Sequence, residues 1–321
     1  MKENKKIKTI FMGTPEFGAQ ALEALLNSDF FEVIAVVTQP DKKMGRGLET
    51  ATSAIKKVAQ RYQLKIYQPE KIRNEVSLIK ELEPELIVVA AYGQIIPLSI
   101  LDIPAYGCIN IHGSLLPKYR GAACLQAPIL NGEKYSGVTI MKMDEGLDTG
   151  PILARKKVRL AKDETASSLH DKLAKLGAPL LIKTLKKYIA KKLKPKKQNS
   201  RHASYVKMLK KEDGHINWHH SAEEIERLTR AFNPWPGAYG YLNDEGLKIN
   251  QVLFKLWAVR PKPLKINKYK IGQLFIYESA LAVQCGQNSL VIIKLQLEGR
   301  KVMEVDSFLR GNQSIIGNIL K

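Results

Sequence analysis

Asn110 and His112 stand two residues apart in the run CINIH at 108–112, and an amide beside an imidazole suits work on a carbonyl. In a strand, alternate side chains share a face, so Asn110 and His112 point together while Ile109 and Ile111 face a core. The amide can donate to an oxyanion developing on the carbonyl oxygen, and the imidazole can move a proton. Gly113 and Pro117 close the strand and open a loop. A structural reading competes, because a histidine at a strand end also serves as an ordinary hydrogen-bonder. Residues 137–150 read as a strand, an acidic glycine-bounded loop and another strand, and they carry Asp144, Glu145 and Asp148. One of these carboxylates could orient His112. Alternatively the aspartates cap backbone amides of a turn. Their spacing is not that of an EF-hand and no histidine accompanies them, so no metal site is expected. Residues 39–47, QPDKKMGRG, put Lys42, Lys43 and Arg46 on a flexible basic segment. It is either a loop that grips phosphates or a solvated surface loop. Residues 13–18 are not a GxGxxG fingerprint and no GxxxxGK[ST] occurs, which argues against dinucleotide and nucleoside-triphosphate chemistry.

Positioning these groups requires a scaffold, and the hydrophobic pattern supplies one. Residues 7–12 read as a buried strand and 16–26 as a helix, with Thr14 as its cap and Pro15 and Glu16 suited to its first turn. Apolar runs at 33–37 and 86–91 read as further strands, with a helix near 75–83. Alternating strands and helices predict an α/β fold with a mostly parallel sheet covered on both faces. Ligands of such sheets bind beyond the carboxyl ends of the strands. Residues 183–211 hold twelve Lys or Arg and no Asp or Glu. Helical spacing persists to about 193, and from 194 to 204 the chain is polar without periodicity. The domain boundary is placed there: a first domain over 6–193, a basic linker over 194–204 and a second domain over 205–321. In the second, a helix at 222–232 opens on the capping-box pair Ser221 and Glu224. Short β pieces follow at 237–242, 247–259, 272–276, 281–285 and 290–297, the texture of a small antiparallel barrel.

The chain has 321 residues, 45% of them hydrophobic and 26% charged, which suits a globular protein of about two domains. A net charge of +20 calls for a polyanionic partner, with solubility as the competing explanation for part of the lysine excess. Three scattered cysteines, Cys108, Cys124 and Cys285, fit neither a disulfide framework nor a cysteine zinc site. The uncharged stretch 86–101 is too short and too interrupted for a bilayer span. The first ten residues are basic but lack an apolar signal core. A cytoplasmic protein with no membrane contact is expected. No coiled-coil heptad is visible, so the expected state is a monomer.

The residues also carry a resemblance. NIHGSLLPKYRGAA at 110–123, together with Asp148 in GLDTG at 146–150, resembles the signature of the 10-formyltetrahydrofolate-dependent formyltransferases. FMGTPEF at 11–17, TQPD at 38–41, GRG at 45–47, AYG at 91–93 and AFNPWPG at 231–237 are similar to the branch of that family that acts on methionyl-tRNA. The resemblance implies a Rossmann-like formyltransferase domain followed by an oligonucleotide-binding (OB-like) barrel. It implies transfer of a formyl group from 10-formyltetrahydrofolate, a co-substrate and not a tightly bound cofactor, to the amine of initiator methionyl-tRNA. Asn110 and His112 would hold the formyl oxygen, and Asp148 would pair with His112. Folate would lie against Tyr92, Gly93, Ile95, Ser114, Leu115, Leu116 and Pro117. Arg46, with Lys42 and Lys43, would reach the tRNA acceptor stem. One departure stands beside the site: Cys124-Leu125 occupies the place where the family usually has Pro-Ile. Two rivals remain, a formyltransferase for an amino sugar nucleotide and a catalytically inactive RNA-binding relative. Binding alone has no need of Asn110, His112 and Asp148 together.

Overall fold

The computed structural model describes residues 5–44, 49–244, 249–260 and 262–321. The chain divides into two compact units. The first comprises the chain up to Cys124, Tyr135–Val158 and His170–Val206, and the second comprises Leu125–Lys134, Arg159–Leu169 and Lys207–Lys321. Residues 125–134 and 159–169, which a single cut at 194–204 assigns to the first domain, therefore pack into the second unit. No helix among the described residues is long and apolar enough to cross a membrane.

The first unit is built on a seven-stranded sheet. Its strands in chain order are β1 (Ile7–Gly13), β2 (Phe31–Val37), β3 (Ile66–Tyr67), β4 (Leu86–Ala90), β5 (Cys108–His112), β6 (Tyr135–Lys142) and β7 (Ile152–Arg159). Across the sheet the order is β7-β6-β5-β4-β1-β2-β3. Neighbours from β3 through to β5 run parallel, and β6 is antiparallel to β5. The strand sequence changes direction between β1 and β4, which makes their carboxyl ends the expected binding edge. Helices α1 (Ala19–Leu26), α2 (Ala54–Arg61), α3 (Val76–Glu81) and α4 (Ala166–Ile189) accompany it. Alternation along β1 sets the layers. Ile10 and Met12 pack with Ile72 and Ile79 on one face, while Phe11 turns toward Gly13, Gly18 and Ile55 on the other. All five residues of β4 and of β5 are buried, as central strands require.

Two local expectations are corrected. Residues 16–18 form a 3-10 turn before α1, and Thr14 does not cap it. Its hydroxyl donates instead to the Tyr92 carbonyl at 3.0 Å, which also accepts from Gln39 Nε2 at 3.0 Å. Ala91 and Gly93 both have positive φ, so the loop after β4 turns its Tyr92 carbonyl toward donors outside the loop. Residues 194–204, expected as a linker, lie folded on the first unit. Lys196 bridges to Ile152 in both directions at 2.8 Å, and Gln198 is buried.

The second unit contains α5 (Ala222–Ala231), with the Ser221–Glu224 capping box formed on both sides. Strands β8 (Ala238–Asp244), β9 (Ile249–Val259), β10 (Leu274–Tyr277), β11 (Ala280–Gln284), β12 (Ser289–Leu297) and β13 (Met303–Glu304) follow. They form a six-stranded antiparallel sheet of order β8-β9-β12-β11-β10, with β13 on β12. Its core gathers Phe254, Leu256, Leu281, Ile292 and Leu295, with Ile225 from α5.

Candidate active site

Strand β5 delivers Asn110 and His112 to the carboxyl edge of the sheet, and the loop after β6 brings Asp148 over them. The Asn110 amide Nδ2 lies 3.4 Å from Asp148 Oδ1 and His112 Nδ1 lies 3.5 Å from Asp148 Oδ2. His112 is buried, and the Asp148 side chain keeps 14% of its exposure, enough for a ligand to reach it. His112 Nε2 is 2.9 Å from the Tyr119 carbonyl oxygen. A carbonyl only accepts, so this contact assigns a hydrogen to Nε2 and fixes the ring. Nδ1 then faces the carboxylate at an ion-pair distance, longer than a good hydrogen bond.

Asp148 is held at both ends. Its Oδ2 accepts from the Gly121 amide at 2.8 Å. Its backbone has φ of +52°, a left-handed conformation that a non-glycine residue keeps only when its surroundings enforce it. The Asp148 and Gly150 carbonyls both accept from Gln198 Nε2 at 2.8 Å. Gly150 is required by space, since a Cβ there would stand 1.9 Å from the Lys142 carbonyl oxygen. Gly121, at φ +104°, approaches Val206 so closely that a Cβ would meet its carbonyl oxygen at 2.4 Å. Asp144 takes the turn role, accepting from the Gly146 amide at 3.2 Å and the Thr149 hydroxyl at 2.5 Å. The two readings of the acidic loop are thus divided between its aspartates.

Residues 5–185 match the model of the formyl transferase family, and 208–313 match that of the formyl transferase C-terminal domain. The chain belongs to the formyl transferase family. Among its relatives, the methionyl-tRNA formyltransferase of Caldanaerobacter subterraneus subsp. tengcongensis is 44% identical over 318 residues, covering 98% of this chain and 100% of that protein. The methionyl-tRNA formyltransferase of Alkaliphilus metalliredigens is 45% identical over 309 residues, 95% of this chain and 96% of the other. Among solved structures, the N-formyltransferase of Helicobacter canadensis, in complex with folinic acid and dTDP-3-aminofucose, superposes with a TM-score of 0.63 at 21% identity. That match covers 89% of this chain and 98% of the other. HypX of Aquifex aeolicus in complex with tetrahydrofolic acid gives 0.60 at 15% identity, over 95% of this chain and 47% of that one. At such identities the likeness speaks for the formyl transferase fold.

The other expected site residues of this formyl transferase fare unequally. Ile95 is 88% exposed, free to meet a ligand. Tyr92, Ser114 and Leu116 are buried and offer a ligand almost no surface. Burial pushes the Tyr92 hydroxyl up to about 12. The Ser114 hydroxyl donates to the Lys118 carbonyl at 2.7 Å, and the Leu116 carbonyl accepts from Arg155 at 2.8 Å. Thr139, opposite His112 on β6, donates to the Ser114 carbonyl at 2.6 Å and accepts from the Leu116 amide at 3.2 Å. The SLLP segment is therefore a positioned turn, and it carries the chain to Tyr119. Leu115 and Pro117 are partly buried, Gly93 is exposed with positive φ, and Gln39 lies beside it. Arg46 lies outside the described residues, and the backbone of Lys42 and Lys43 runs in a short strand, Lys42–Met44, paired with Glu49–Ala51. At the root of that segment Asp41 bonds Lys56 and Gln68, and the Lys56 ammonium holds its carboxyl below the usual range.

A cavity of about 680 Å³ opens beside the Asp144–Gly146 turn. Leu98, Leu101 and Met143 line it, along with the carboxylates of Asp102, Asp144 and Glu145. This volume is in the range of small-molecule sites. Most of that lining and Gln198 belong to no motif in the sequence, and Tyr119 and Gly121 stand in the 110–123 run without a role assigned to either. Tyr119 and Gly121 act through backbone atoms, which side-chain spacing does not advertise.

Proposed function

We propose that this formyl transferase moves the formyl group of 10-formyltetrahydrofolate onto the α-amine of methionyl-initiator tRNA. The choice of acceptor is carried by one observation: identity of 42–45% over nearly the full chain, both units included, to methionyl-tRNA formyltransferases. In this reading the amine nitrogen attacks the formyl carbon and forms the new C–N bond. The bond from that carbon to the folate nitrogen breaks, the amine loses a proton and the folate nitrogen gains one. Asn110 Nδ2 carries a second hydrogen beyond the one facing Asp148, and it points the amide at the developing oxyanion. His112 Nδ1 stands too far from Asp148 for a tight bond, and since Nε2 already carries a hydrogen toward Tyr119, Nδ1 can donate to the same oxygen only in the cationic ring, whose charge the carboxylate would oppose. An α-amine titrates near pH 8, so positioning matters more than a strong base.

The residues around the turn fit the co-substrate. An aromatic ring system with several N–H donors suits a cleft that sets Leu98, Leu101 and Met143 beside Asp102, Asp144 and Glu145. The first unit would do the chemistry and the second, with the basic segment before it, would hold tRNA. The decisive assay offers the full chain 10-formyltetrahydrofolate with charged initiator tRNA, uncharged tRNA or an amino sugar nucleotide. Formylmethionyl-tRNA is the expected product in the first arm alone. Formylation of the sugar amine with none on charged tRNA would replace this reading with its rival.

A further inference from the structure

Among the described residues Arg120 is the largest side chain buried almost without exposure, at 1%. A guanidinium cannot shed its charge, so placing it out of water is costly unless its donors are met. Here they meet neutral oxygens. Arg120 Nη2 and Nε reach Gln198 Oε1 at 2.9 and 3.3 Å, and Nη1 reaches the Tyr205 hydroxyl at 2.8 Å. The arrangement settles which way the Gln198 amide points. Arg120 only donates, so it takes the oxygen, and Nε2 must face the carbonyls of Asp148 and Gly150, which only accept. The backbone closes the circuit, because the residue after Arg120 is Gly121, whose amide holds the Asp148 carboxylate. The same strand segment secures the histidine. Ser204 Oγ accepts from the Tyr119 amide at 2.8 Å, and the Tyr119 carbonyl faces His112 Nε2.

We infer that Gln198, locked by Arg120, is a positioning residue for the transfer reaction, holding the left-handed turn that presents the Asp148 carboxylate to Asn110 and His112. It touches no reacting atom in this reading, and the inference rests on the role given to Asp148 above. A purely structural role would leave catalysis and folding to fall together. A positioning role makes the loss of Gln198 depend on Asp148 being there to position.

The test is a double-mutant cycle on the full chain with Gln198→Glu. Glutamate still accepts from Arg120 and keeps the buried charge paired, but it has no hydrogen for the two carbonyls. In the native background kcat should fall about 10²-fold with KM for folate and tRNA within about twofold, the pattern of lost transition-state alignment. In an Asp148→Ala background Gln198→Glu should change kcat by less than about twofold, because the two residues act as one unit. Should Gln198→Glu not fold, the pair Arg120→Met with Gln198→Met removes charge and acceptor together and takes its place. A crystal structure of the folded variant supplies a reading independent of activity, with Asp148 expected to swing away from His112. An undiminished kcat, an equal fall in both backgrounds, or an unmoved Asp148 overturns the inference. Failure of the native chain to formylate methionyl-tRNA would instead count against the proposed function, and the crystallographic comparison would still decide on Gln198.

Discussion

Truncating Asn110 removes the amide donor that lies beside the Asp148 carboxylate and is assigned to the developing oxyanion. Asn110→Ala should therefore lower kcat by about 10²–10³-fold, the usual cost of an oxyanion donor. His112→Ala and Asp148→Ala should each lower kcat by at least about 10²-fold. Single-turnover formylation with circular dichroism on the same samples checks both the loss and the retained fold. Near-native turnover in any one variant would take that residue out of the machinery. That these three come together was legible in the sequence because each is a side chain of distinctive type, two of them at strand spacing. Asp148 could be told from Asp144 and Glu145 only through the family resemblance, since all three look alike in an acidic turn. The structure separates them by what they accept: Asp144 takes Gly146 and Thr149 from its own turn, whereas Asp148 takes Gly121 from another. Gln198 was illegible for the opposite reason. A glutamine in a lysine-rich stretch without periodicity reads as solvated, and only the folded chain shows what it grips.

At the scale of elements, the strands of the first unit could be read because continuous apolar runs mark buried parallel strands, and β1, β2 and β4 fall where those runs lie. The α5 start was legible because its capping box is a side-chain signal. The Thr14 cap failed because a loop carbonyl competes for the same hydroxyl, and the residues over 194–204 were misread because their polarity faces solvent at most positions and not at 198. The turn after β5 hangs on Thr139, whose hydroxyl, fully buried, serves two backbone groups at once. Thr139→Val keeps the shape and removes both bonds, leaving a buried N–H and a buried C=O unmet, at about 1–3 kcal/mol each. The melting temperature of the first unit should fall by roughly 2–4 °C per kcal/mol lost. Because this turn leads to Tyr119, kcat should fall as well, up to about 10²-fold. Thr139→Ser should restore both quantities, and a Thr139→Val enzyme with native melting and turnover would show that the turn does not depend on this hydroxyl.

For the whole molecule the dominant fact is charge. Residues 183–211 account for +12 of the +20, and within them Lys194, Lys196, Lys197, Arg201, Lys207, Lys210 and Lys211 are all exposed. One segment thus turns cations outward while Gln198 turns inward to the turn that carries Asp148. If the cations serve solubility, neutralising them changes nothing specific to tRNA. If they bind phosphates, each contact contributes almost one logarithmic unit of salt dependence, a slope of about −0.9 for duplex nucleic acid. The native chain should then lose kcat/KM for methionyl-tRNA steeply and linearly on a logarithmic salt scale. The triple variant Lys194→Gln, Lys197→Gln, Arg201→Gln should flatten that slope by up to about 2.7, which is three contacts at about 0.9 each. Its kcat at saturating tRNA should stay native, since none of the three bonds Asp148, His112 or Asn110, and its folate KM should hold steady. Steady-state kinetics across 50–300 mM salt, roughly the range over which such contacts are screened out, decides between the two uses of the charge. An unaltered slope would assign this part of the lysine excess to solubility, and it would move the search for the tRNA-binding surface to the second unit and to the segment that carries Lys42 and Lys43.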